Sequence, residues 1–228
     1  MWQARFYQAL PELVQAYPKA RWLFLTLTVR NCDITDLSAT LKDMNQAWQR
    51  LIKRDELKPI QGWLRTTEVT RGQDRSAHPH FHVLLMVLPS WFSHGYIKQA
   101  RWVELWQEAL RANYAPNVDI RTVKPKGSAD TIEDLLRGAV AETLKYSTKP
   151  SDMTTDPQWF LELTRQTHKK RFMASGGVLK NILKEDQETN QDLITADNQD
   201  LVPAESEPLV FGWQPSVRKY KRTVEPMN

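Results

Sequence analysis

One segment of the sequence, residues 21–30, limits most strongly what this chain can fold into. In RWLFLTLTVR, leucines and Val29 stand at every second position, and Phe24, Thr26 and Thr28 stand between them. A period of two is that of a β-strand with one apolar face. We therefore predict a strand here, in a sheet whose apolar face is covered by other parts of the chain.

Strand and helix patterns follow one another along the rest of the chain. We predict strands at 60–70, 80–88 and 118–123, and helices at 2–16, 35–57, 97–112, 130–148 and 157–172. The hairpin-like steps between strands favour antiparallel pairing. The sequence thus predicts an α+β fold, in which helices pack on an antiparallel β-sheet.

Charge divides the chain into three stretches. We expect a folded domain over 1–183, an acidic and flexible segment over 184–208, and a basic stretch over 209–228 that could add an edge strand. The net charge is +4, but the acidic segment holds eight acidic residues and one basic residue; without it 30 basic and 19 acidic residues remain, a net charge of +11. Such an excess is typical of nucleic-acid-binding proteins, although many basic proteins bind no nucleic acid.

The composition, with 41% hydrophobic and 25% charged residues, is that of an ordinary soluble globular protein. The single cysteine, Cys32, excludes an internal disulfide and fits a reducing compartment. No apolar run approaches the roughly 20 residues that span a bilayer. The first residues, MWQARFYQALPEL, lack the apolar core of a secretory signal. We expect a cytoplasmic protein with no membrane partner.

The motif HPHFH, at residues 78–82, is the clearest local sign of chemistry, because it holds three of the five histidines of the chain. Residues two apart on a strand point to the same face. His80 and His82 would then present two imidazoles side by side, while Phe81 faces the core. Two neutral imidazoles that converge on one point suit a divalent metal ion. A surface strand with incidental histidines is the alternative interpretation.

Glu68, near the end of the preceding predicted strand, could complete such a site. If strands 60–70 and 80–88 form a hairpin, Glu68 and His82 can lie opposite each other, because their numbers share parity. Two histidines and one carboxylate leave open positions for a substrate oxygen and water. Alternatively, Glu68 is a solvated carboxylate at a sheet edge. His78 could be a substitute ligand, a phosphate contact or a loop residue.

The predicted helix at 130–148 carries Glu142 and Tyr146, with Lys149 directly after it, on a narrow stripe that borders the apolar face. A tyrosine hydroxyl has a pKa of about 10 and is a poor nucleophile at neutral pH. A base, a cation or a metal-polarised substrate must therefore assist it. Glu142 could accept a proton, and Lys149 could stabilise the phenolate or a phosphate. An ordinary amphipathic helix with a polar rim is the alternative.

In this order, the segments resemble the replication initiators of rolling-circle plasmids, which belong to the HUH endonucleases, named for a His-hydrophobic-His motif. The resemblance covers about residues 20–175 and rests on LFLTLTVRN, HPHFHVLL and the pattern Glu-x-x-x-Tyr-x-x-Lys. The most similar subgroup has a glutamate four residues before its tyrosine. The resemblance implies the RRM-like antiparallel palm of these enzymes.

The resemblance also implies a metal centre and an activity. His80 and His82 match the metal ligands of the family, Glu68 matches the third ligand, and the implied cofactor is Mn²⁺ or Mg²⁺. The implied activity is site- and strand-specific nicking and joining of DNA at a plasmid replication origin, through a 5′-phosphotyrosine intermediate.

The tyrosine motif supplies the other implied catalytic roles. Tyr146 matches the nucleophile, Glu142 matches the carboxylate that activates water in the terminating cleavage, and Lys149 matches the lysine of the motif. The second catalytic tyrosine of some relatives has no counterpart, since no YxxxY pair occurs.

The implied partners are single-stranded and supercoiled origin DNA, a host helicase and a host DNA polymerase, in the cytoplasm of a bacterium. A separate helicase is expected because the sequence contains no GxxxxGK[ST] motif. Basic residues near the motifs are expected to contact DNA: Lys145, Arg71, Arg75, Lys124 and Lys126.

Three other interpretations remain open. An HUH transposase or a conjugative relaxase would share the chemistry, although relaxases cluster their histidines differently. A non-catalytic RRM-like module would stack bases on its aromatic residues, but it would need neither HPHFH nor the tyrosine motif. A structural zinc site is disfavoured because the chain has one cysteine and no CxxC.

Overall fold

The computed structural model describes residues 2–123, 136, 156–182, 211–214 and 219–222. The chain divides into two compact units, Met1–Lys184 and Glu185–Asn228. The acidic segment predicted at 184–208 lies outside the described residues. The helix predicted at 130–148 does so as well, apart from Leu136, which is helical.

The described elements of the first unit confirm most of the predicted strands and helices. The strands are β1 (Arg21–Thr28), β2 (Ile60–Arg71), β3 (Ala77–Val87), β4 (Val118–Thr122) and β5 (Met173–Gly177). The helices are α1 (Trp2–Ala16), α2 (Leu37–Leu51), α3 (Gln99–Leu110), α4 (Pro157–Thr167) and α5 (Val178–Ile182). Within the described ranges, no helix is long and apolar enough to cross a membrane.

In the second unit, two short strands, β6 (Phe211–Gln214) and β7 (Lys219–Arg222), pair as a two-stranded antiparallel sheet. The addition of an edge strand by the stretch at 209–228 stays a prediction.

Two helices are shorter than predicted. The helix predicted at 35–57 ends at Leu51, and a separate 3₁₀ turn follows at Asp55–Leu57. The helix predicted at 157–172 ends at Thr167, because the next residue, His168, has a ψ of 129°, which α-helical backbone does not contain. Lys169 then adopts a left-handed φ of 56°. The chain turns back there and enters β5.

The sequence did not predict β5, because its residues, MASGG, lack the β-branched and aromatic side chains typical of strands. The glycines are needed for packing. A side chain on Gly176 would collide with the indole of Trp63, and Gly177 has a left-handed φ of 59°.

The five strands of the first unit form one antiparallel sheet in the order β4-β1-β3-β2-β5. This confirms the predicted α+β class. The central strand, β3, pairs with β1 so that His82 lies opposite Thr26, and with β2 so that His80 lies opposite Glu68. Even-numbered residues in these stretches of β1, β2 and β3 therefore share one face of the sheet.

The odd-numbered face packs against α2, α3 and α4. Leu25, Leu27 and Phe81 are fully buried there, as predicted, against Trp48 of α2 and Trp106 of α3. Complete burial of a large apolar side chain stabilises the fold by about 1.5–3 kcal/mol. This face is therefore the main hydrophobic core.

One charged side chain, Arg65, is also buried on the odd-numbered face, where it is 3% exposed. Its guanidinium carbon lies 4.1 Å from the centroid of the Phe81 ring, and Nη2 donates to Oδ1 of Asn45 at 2.7 Å. Burial lowers the pKa of Arg65 to about 10, so the group stays protonated at neutral pH. Stacking on Phe81 and the bond to Asn45 offset part of the cost of burying its charge.

The even-numbered face has a smaller apolar cluster beneath α1, which we call the α1 cluster. Leu64 of β2 and Leu84 of β3 are fully buried there. The cluster also contains Phe6, Leu10, Leu13, Ala20, Trp22, Met86, Leu136 and Leu179. Leu136, the described residue of the predicted helix at 130–148, thus packs on the even-numbered face.

Candidate metal centre

Three side chains meet on the even-numbered face, closer to the β2–β3 turn at 72–76 than the α1 cluster is. Oε2 of Glu68 lies 2.9 Å from Nε2 of His80 and 2.9 Å from Nε2 of His82. The side chains are 17%, 13% and 18% exposed, in that order. The structure therefore brings together the three residues that the sequence predicted as metal ligands.

The structure fixes the register of the hairpin, which the sequence left as an assumption. Glu68 lies opposite His80, and Thr66 lies opposite His82, whereas parity had also allowed Glu68 to lie opposite His82. Parity fixes the face, but the turn at 72–76 fixes the pairing, which ends where Gly72 N–H donates to the carbonyl of Ser76 at 2.8 Å. Glu68 still reaches His82, because diagonal neighbours on antiparallel strands lie within reach of long side chains.

The spacing of the three ligand atoms fits a metal ion. They lie within 4.8 Å of one another, and ligand atoms about 2.0–2.2 Å from a shared ion would be roughly 3 Å apart. In the part of the chain that the structure describes, Glu68, His80 and His82 are the His, Cys, Asp or Glu residues whose ligand atoms lie this close together as a group of three. Three protein ligands leave coordination positions for water or substrate.

Hydrogen bonds on the far side of each imidazole orient the two ligand rings. Nδ1 of His80 lies 3.3 Å from the carbonyl oxygen of His78, and Nδ1 of His82 lies 3.2 Å from Oγ1 of Thr26. A carbonyl can only accept, so Nδ1 of His80 carries a proton and donates it. Once Nε2 gives up the proton that it shares with Glu68, a neutral imidazole that is protonated at Nδ1 has its lone pair on Nε2, where a metal ion can bind it.

Electrostatics keep Glu68 in its charged form. A hydrogen bond from His80 and then one from His82 hold the pKa of the Glu68 carboxyl well below its ordinary range, and both outweigh the burial that would raise it. The carboxylate is therefore ionised at neutral pH, the form that binds a cation. A bound cation would replace the two donated protons.

His78, the predicted substitute ligand, lies on the same face but outside the group of three. Its ring centroid is 5.5 Å from that of His80, at an interplanar angle of 72°. Burial lowers the pKa of His78, so the ring is neutral at neutral pH. Its main-chain carbonyl, rather than its ring, orients His80.

Thr26 and Phe24 are parts of the centre that the sequence analysis did not assign to it. Thr26 contacts Nδ1 of His82, and the ring of Phe24 stacks on the His82 ring with centroids 5.5 Å apart. The signal was present in RWLFLTLTVR, where polar threonines alternate with buried leucines on a strand. The pairing of that strand with HPHFH was missing, and only that pairing places Thr26 beside His82.

Arg71 and Arg75, predicted DNA contacts, both bind Asp156. Nη2 of Arg71 and Nε of Arg75 each lie 2.9 Å from its Oδ2. Asp156 also caps α4 by accepting from the N–H of Trp159, whose indole N–H donates to the carbonyl of Arg75 at 3.0 Å. These contacts hold the β2–β3 turn against α4, and direct contact of the arginines with DNA stays a prediction.

The other predicted site residues lie outside the described residues: Lys124, Lys126, Glu142, Lys145, Tyr146 and Lys149. Their roles stay predictions.

Fold and site together define an α+β protein with a centre of two histidines and one carboxylate on an antiparallel sheet. The chain belongs to the Rep_1 family of replication proteins, whose family model matches residues 1–221. This confirms the prediction of a replication protein.

Individual relatives agree with the family. The chain is 36% identical over 222 residues to "Protein rep" of Streptococcus pneumoniae serotype 2, covering 93% of this chain and 68% of that protein. It is 34% identical over 204 residues to a "Replication protein" of Staphylococcus aureus, covering 84% and 86%. It is 38% identical over 200 residues to "Protein rep" of Lactiplantibacillus plantarum, covering 82% and 62%. No solved structure matches the chain.

Proposed function

We propose that this protein initiates rolling-circle replication of a plasmid by nicking one DNA strand at the origin and later rejoining it. The proposal rests on one observation: on an otherwise well-packed sheet, the Glu68 carboxylate lies 2.9 Å from Nε2 of His80 and 2.9 Å from Nε2 of His82. A replication protein has no structural need for two oriented imidazoles and an ionised carboxylate at one point. A metal ion held by these groups can polarise the phosphodiester that is cleaved.

The donor set favours a particular cofactor. Two imidazole nitrogens and one carboxylate oxygen suit Mn²⁺ better than Mg²⁺, which binds oxygen almost exclusively. We therefore propose that either ion can serve and that Mn²⁺ binds more tightly. When bound, such an ion supplies Lewis-acid polarisation of a phosphoryl oxygen.

The position of Leu136 supports Tyr146 as the nucleophile. Leu136 is buried beside Leu84 on the even-numbered face, and His80 lies four residues from Leu84 along β3, about 13 Å. Tyr146 follows Leu136 by ten residues, about 15 Å of α-helix. If the predicted helix at 130–148 runs from Leu136 toward the metal centre, its length is sufficient to bring Tyr146 there.

The chemistry proposed for Tyr146 conserves the phosphodiester bond energy. Its phenolic oxygen attacks phosphorus, the bond from phosphorus to the 3′-oxygen breaks, and the 5′-phosphate remains on the tyrosine. The leaving 3′-oxygen takes a proton and becomes the hydroxyl that primes a host polymerase, while a host helicase unwinds the duplex. Attack of a 3′-hydroxyl on the phosphotyrosine reverses these steps and rejoins the strand without ATP.

Two further residues have proposed roles beside Tyr146. Lys149 stabilises the phenolate or the attacked phosphate. Glu142 accepts a proton from water in the terminating cleavage, because the chain has no YxxxY pair to supply a second tyrosine. The proposed backbone contacts are Arg71, Arg75, Lys124, Lys126 and Lys145, and the proposed location is the bacterial cytoplasm.

A nicking assay on supercoiled plasmid DNA tests the proposal. With Mn²⁺, the protein should convert supercoiled DNA to the open circle and form an adduct that survives a denaturing gel; with EDTA it should do neither. Tyr146→Phe should abolish the adduct and leave DNA binding nearly intact. Tyr220→Phe is the matched control, because Tyr220 is the first alternative nucleophile. Wild-type adduct levels with Tyr146→Phe would overturn the assignment.

Glu142→Ala separates initiation from termination. A positioned general base contributes about 10²–10⁴-fold, so the hydrolytic step of termination should slow by a factor in that range. The yield of single-stranded circles in a replication extract, which reports this step, should fall. The initial nicking rate should change far less. Equal losses in both would instead mean that Glu142 serves Tyr146 or the fold.

A further inference from the structure

A run of three basic residues, Lys169, Lys170 and Arg171, connects α4 to β5, and we call it the basic edge. Lys169 and Arg171 are exposed. Lys170 is half-buried, and its Nζ donates to the carbonyl of Ser38 at 3.2 Å. These residues were predicted to lie in a helix, so their position at the edge of the sheet comes from the structure alone.

Strand pairing places the basic edge beside the metal centre. β5 pairs with β2 so that Met173 lies opposite Thr66, and the N–H of Thr67 donates to the carbonyl of Phe172 at 2.8 Å. The bond between Thr67 and Phe172 continues this register by one residue, and one residue more of the same register would set Arg171 beside Glu68. Neighbouring strands are about 4.8 Å apart, so the backbone of Arg171 would then lie one strand spacing from that of a metal ligand.

The opposite edge of the sheet has a different charge. There β4 pairs with β1 so that Asp119 lies opposite Thr26 and Arg121 lies opposite Phe24. These two β4 side chains form an ion pair with each other, so their charges offset each other. By contrast, neither Lys169 nor Arg171 forms an ion pair with a residue that the structure describes. Of these four side chains, Lys169 and Arg171 are therefore the two whose charge no described partner offsets.

We propose that Lys169 and Arg171 bind the phosphates of single-stranded DNA next to the cleaved phosphate. The DNA strand then passes over β5 next to the metal centre. This inference rests on the proposed function, and it adds the direction of the strand and two residues that no sequence motif indicated. The left-handed backbone of Lys169, at a φ of 56°, is a conformation that L residues rarely adopt and that often occurs at binding sites.

The test is binding of a fluorescein-labelled oligothymidylate of about 20 nucleotides, longer than one typical single-stranded binding site. Fluorescence anisotropy in EDTA, over a series of salt concentrations, measures binding without cleavage. The variant is Lys169→Asn with Arg171→Gln, because asparagine tolerates a positive φ better than most residues. Arg121→Gln is the matched control, an arginine removed from the opposite edge of the same sheet.

We expect the double variant to bind about tenfold or more weakly at 50 mM salt and to approach the wild type near 1 M. The slope of log K against log salt should become shallower by about 1.4, since each lost contact to a single strand removes about 0.7. Arg171→Lys should keep most of the slope. Arg121→Gln should behave as the wild type.

Unchanged affinity and slope in the double variant would overturn the inference, as would an equal loss with Arg121→Gln. A change in affinity without a change in slope would also overturn it, because that result indicates a general disturbance of the fold. If the wild type shows no metal-dependent nicking while the double variant still loses binding, the proposed function fails and the basic edge remains a DNA-binding surface.

Discussion

The even-numbered face of the β2–β3 hairpin consists of two regions that differ in what surrounds them. In the α1 cluster, Leu64 and Leu84 are fully buried among apolar side chains. Closer to the turn between the same strands, the side chains of Glu68, His80 and His82 are each between 13% and 18% exposed. Glu68 contacts both histidines through polar atoms. One region contributes to stability through apolar burial, and the other brings polar groups together.

The difference teaches how the site is kept rigid. Even-numbered residues point to this face, while odd-numbered neighbours such as Phe81 anchor the same strands in the main core. Hydrophobic packing on the odd-numbered face of the sheet therefore holds the backbone of the metal centre in place. Changes in the α1 cluster should then affect stability, and changes in the metal centre should affect metal binding.

The largest effect should follow Leu84→Ala. Truncation of a fully buried leucine costs about 2–5 kcal/mol of unfolding free energy, which urea denaturation measures directly. The affinity of the folded variant for Mn²⁺ should stay near that of the wild type. A large loss of metal affinity in a variant that is still folded would mean that the two regions are not independent.

The converse substitution is His82→Ala, with His80→Ala as its partner. Loss of one of three ligands should weaken Mn²⁺ binding by at least about 100-fold, or about 2.8 kcal/mol at 1.4 kcal/mol per tenfold. Isothermal titration calorimetry measures this affinity, and the thermal unfolding midpoint should change little. His78→Ala is the matched control, since its ring is outside the ligand group. Equal losses in His78→Ala would make His78 a ligand.

A smaller effect should follow Thr26→Val, which has nearly the same shape but lacks the hydroxyl that faces Nδ1 of His82. Loss of a group that orients a ligand typically costs 10–100-fold in metal affinity, and we expect about tenfold. In the metal-free protein, nitrogen NMR should show a changed tautomer balance for His82, and Thr26→Ser should restore it. Thr28→Val is the control, because that hydroxyl donates to the carbonyl of Asn117. No change in Thr26→Val would leave His82 oriented by Phe24 alone.

The smallest effect concerns pH and Glu68. Its folded pKa is below the ordinary value of 4.5, so the ionised carboxylate stabilises the metal-free fold above that pH and loses this contribution as the pH falls below it. Between about pH 6 and pH 3, the wild type should therefore lose more unfolding free energy than Glu68→Gln. Asp43→Asn, at an exposed carboxylate of α2, is the control. Parallel losses in the wild type and Glu68→Gln would contradict the cause given for the shift.

Much of the difference between the two faces of the sheet could be predicted from sequence, because the alternation of side chains along a strand depends only on neighbouring residues. RWLFLTLTVR and HPHFH gave the faces of β1 and β3, and parity placed Glu68 on the face of His80 and His82. The register that was assumed, with Glu68 opposite His82, does not occur, since Glu68 lies opposite His80. The register depends on the geometry of the turn at 72–76, and the parity of residue numbers gives no information about that geometry.

Other features depend on contacts between distant segments. β5 was not predicted because glycine has a low propensity for strands. Its glycines are instead required by the close packing against Trp63 and by a left-handed backbone. Thr26 could be assigned a role only after β1 was placed beside β3. Arg71 and Arg75 looked like free cations in the sequence, but Asp156, more than 80 residues away, binds both.

Whether the polar region is a metal centre that acts on DNA is tested most directly by measuring two Mn²⁺ dependences side by side. Calorimetry gives the Mn²⁺ affinity of the wild type and of Thr26→Val, and a denaturing gel gives the Mn²⁺ concentration for half-maximal covalent adduct with origin DNA. We predict one ion per chain, half-maximal adduct near the dissociation constant, and equal shifts of both values in Thr26→Val. Adduct formation that persists in EDTA, or that does not shift when the affinity does, would contradict the account.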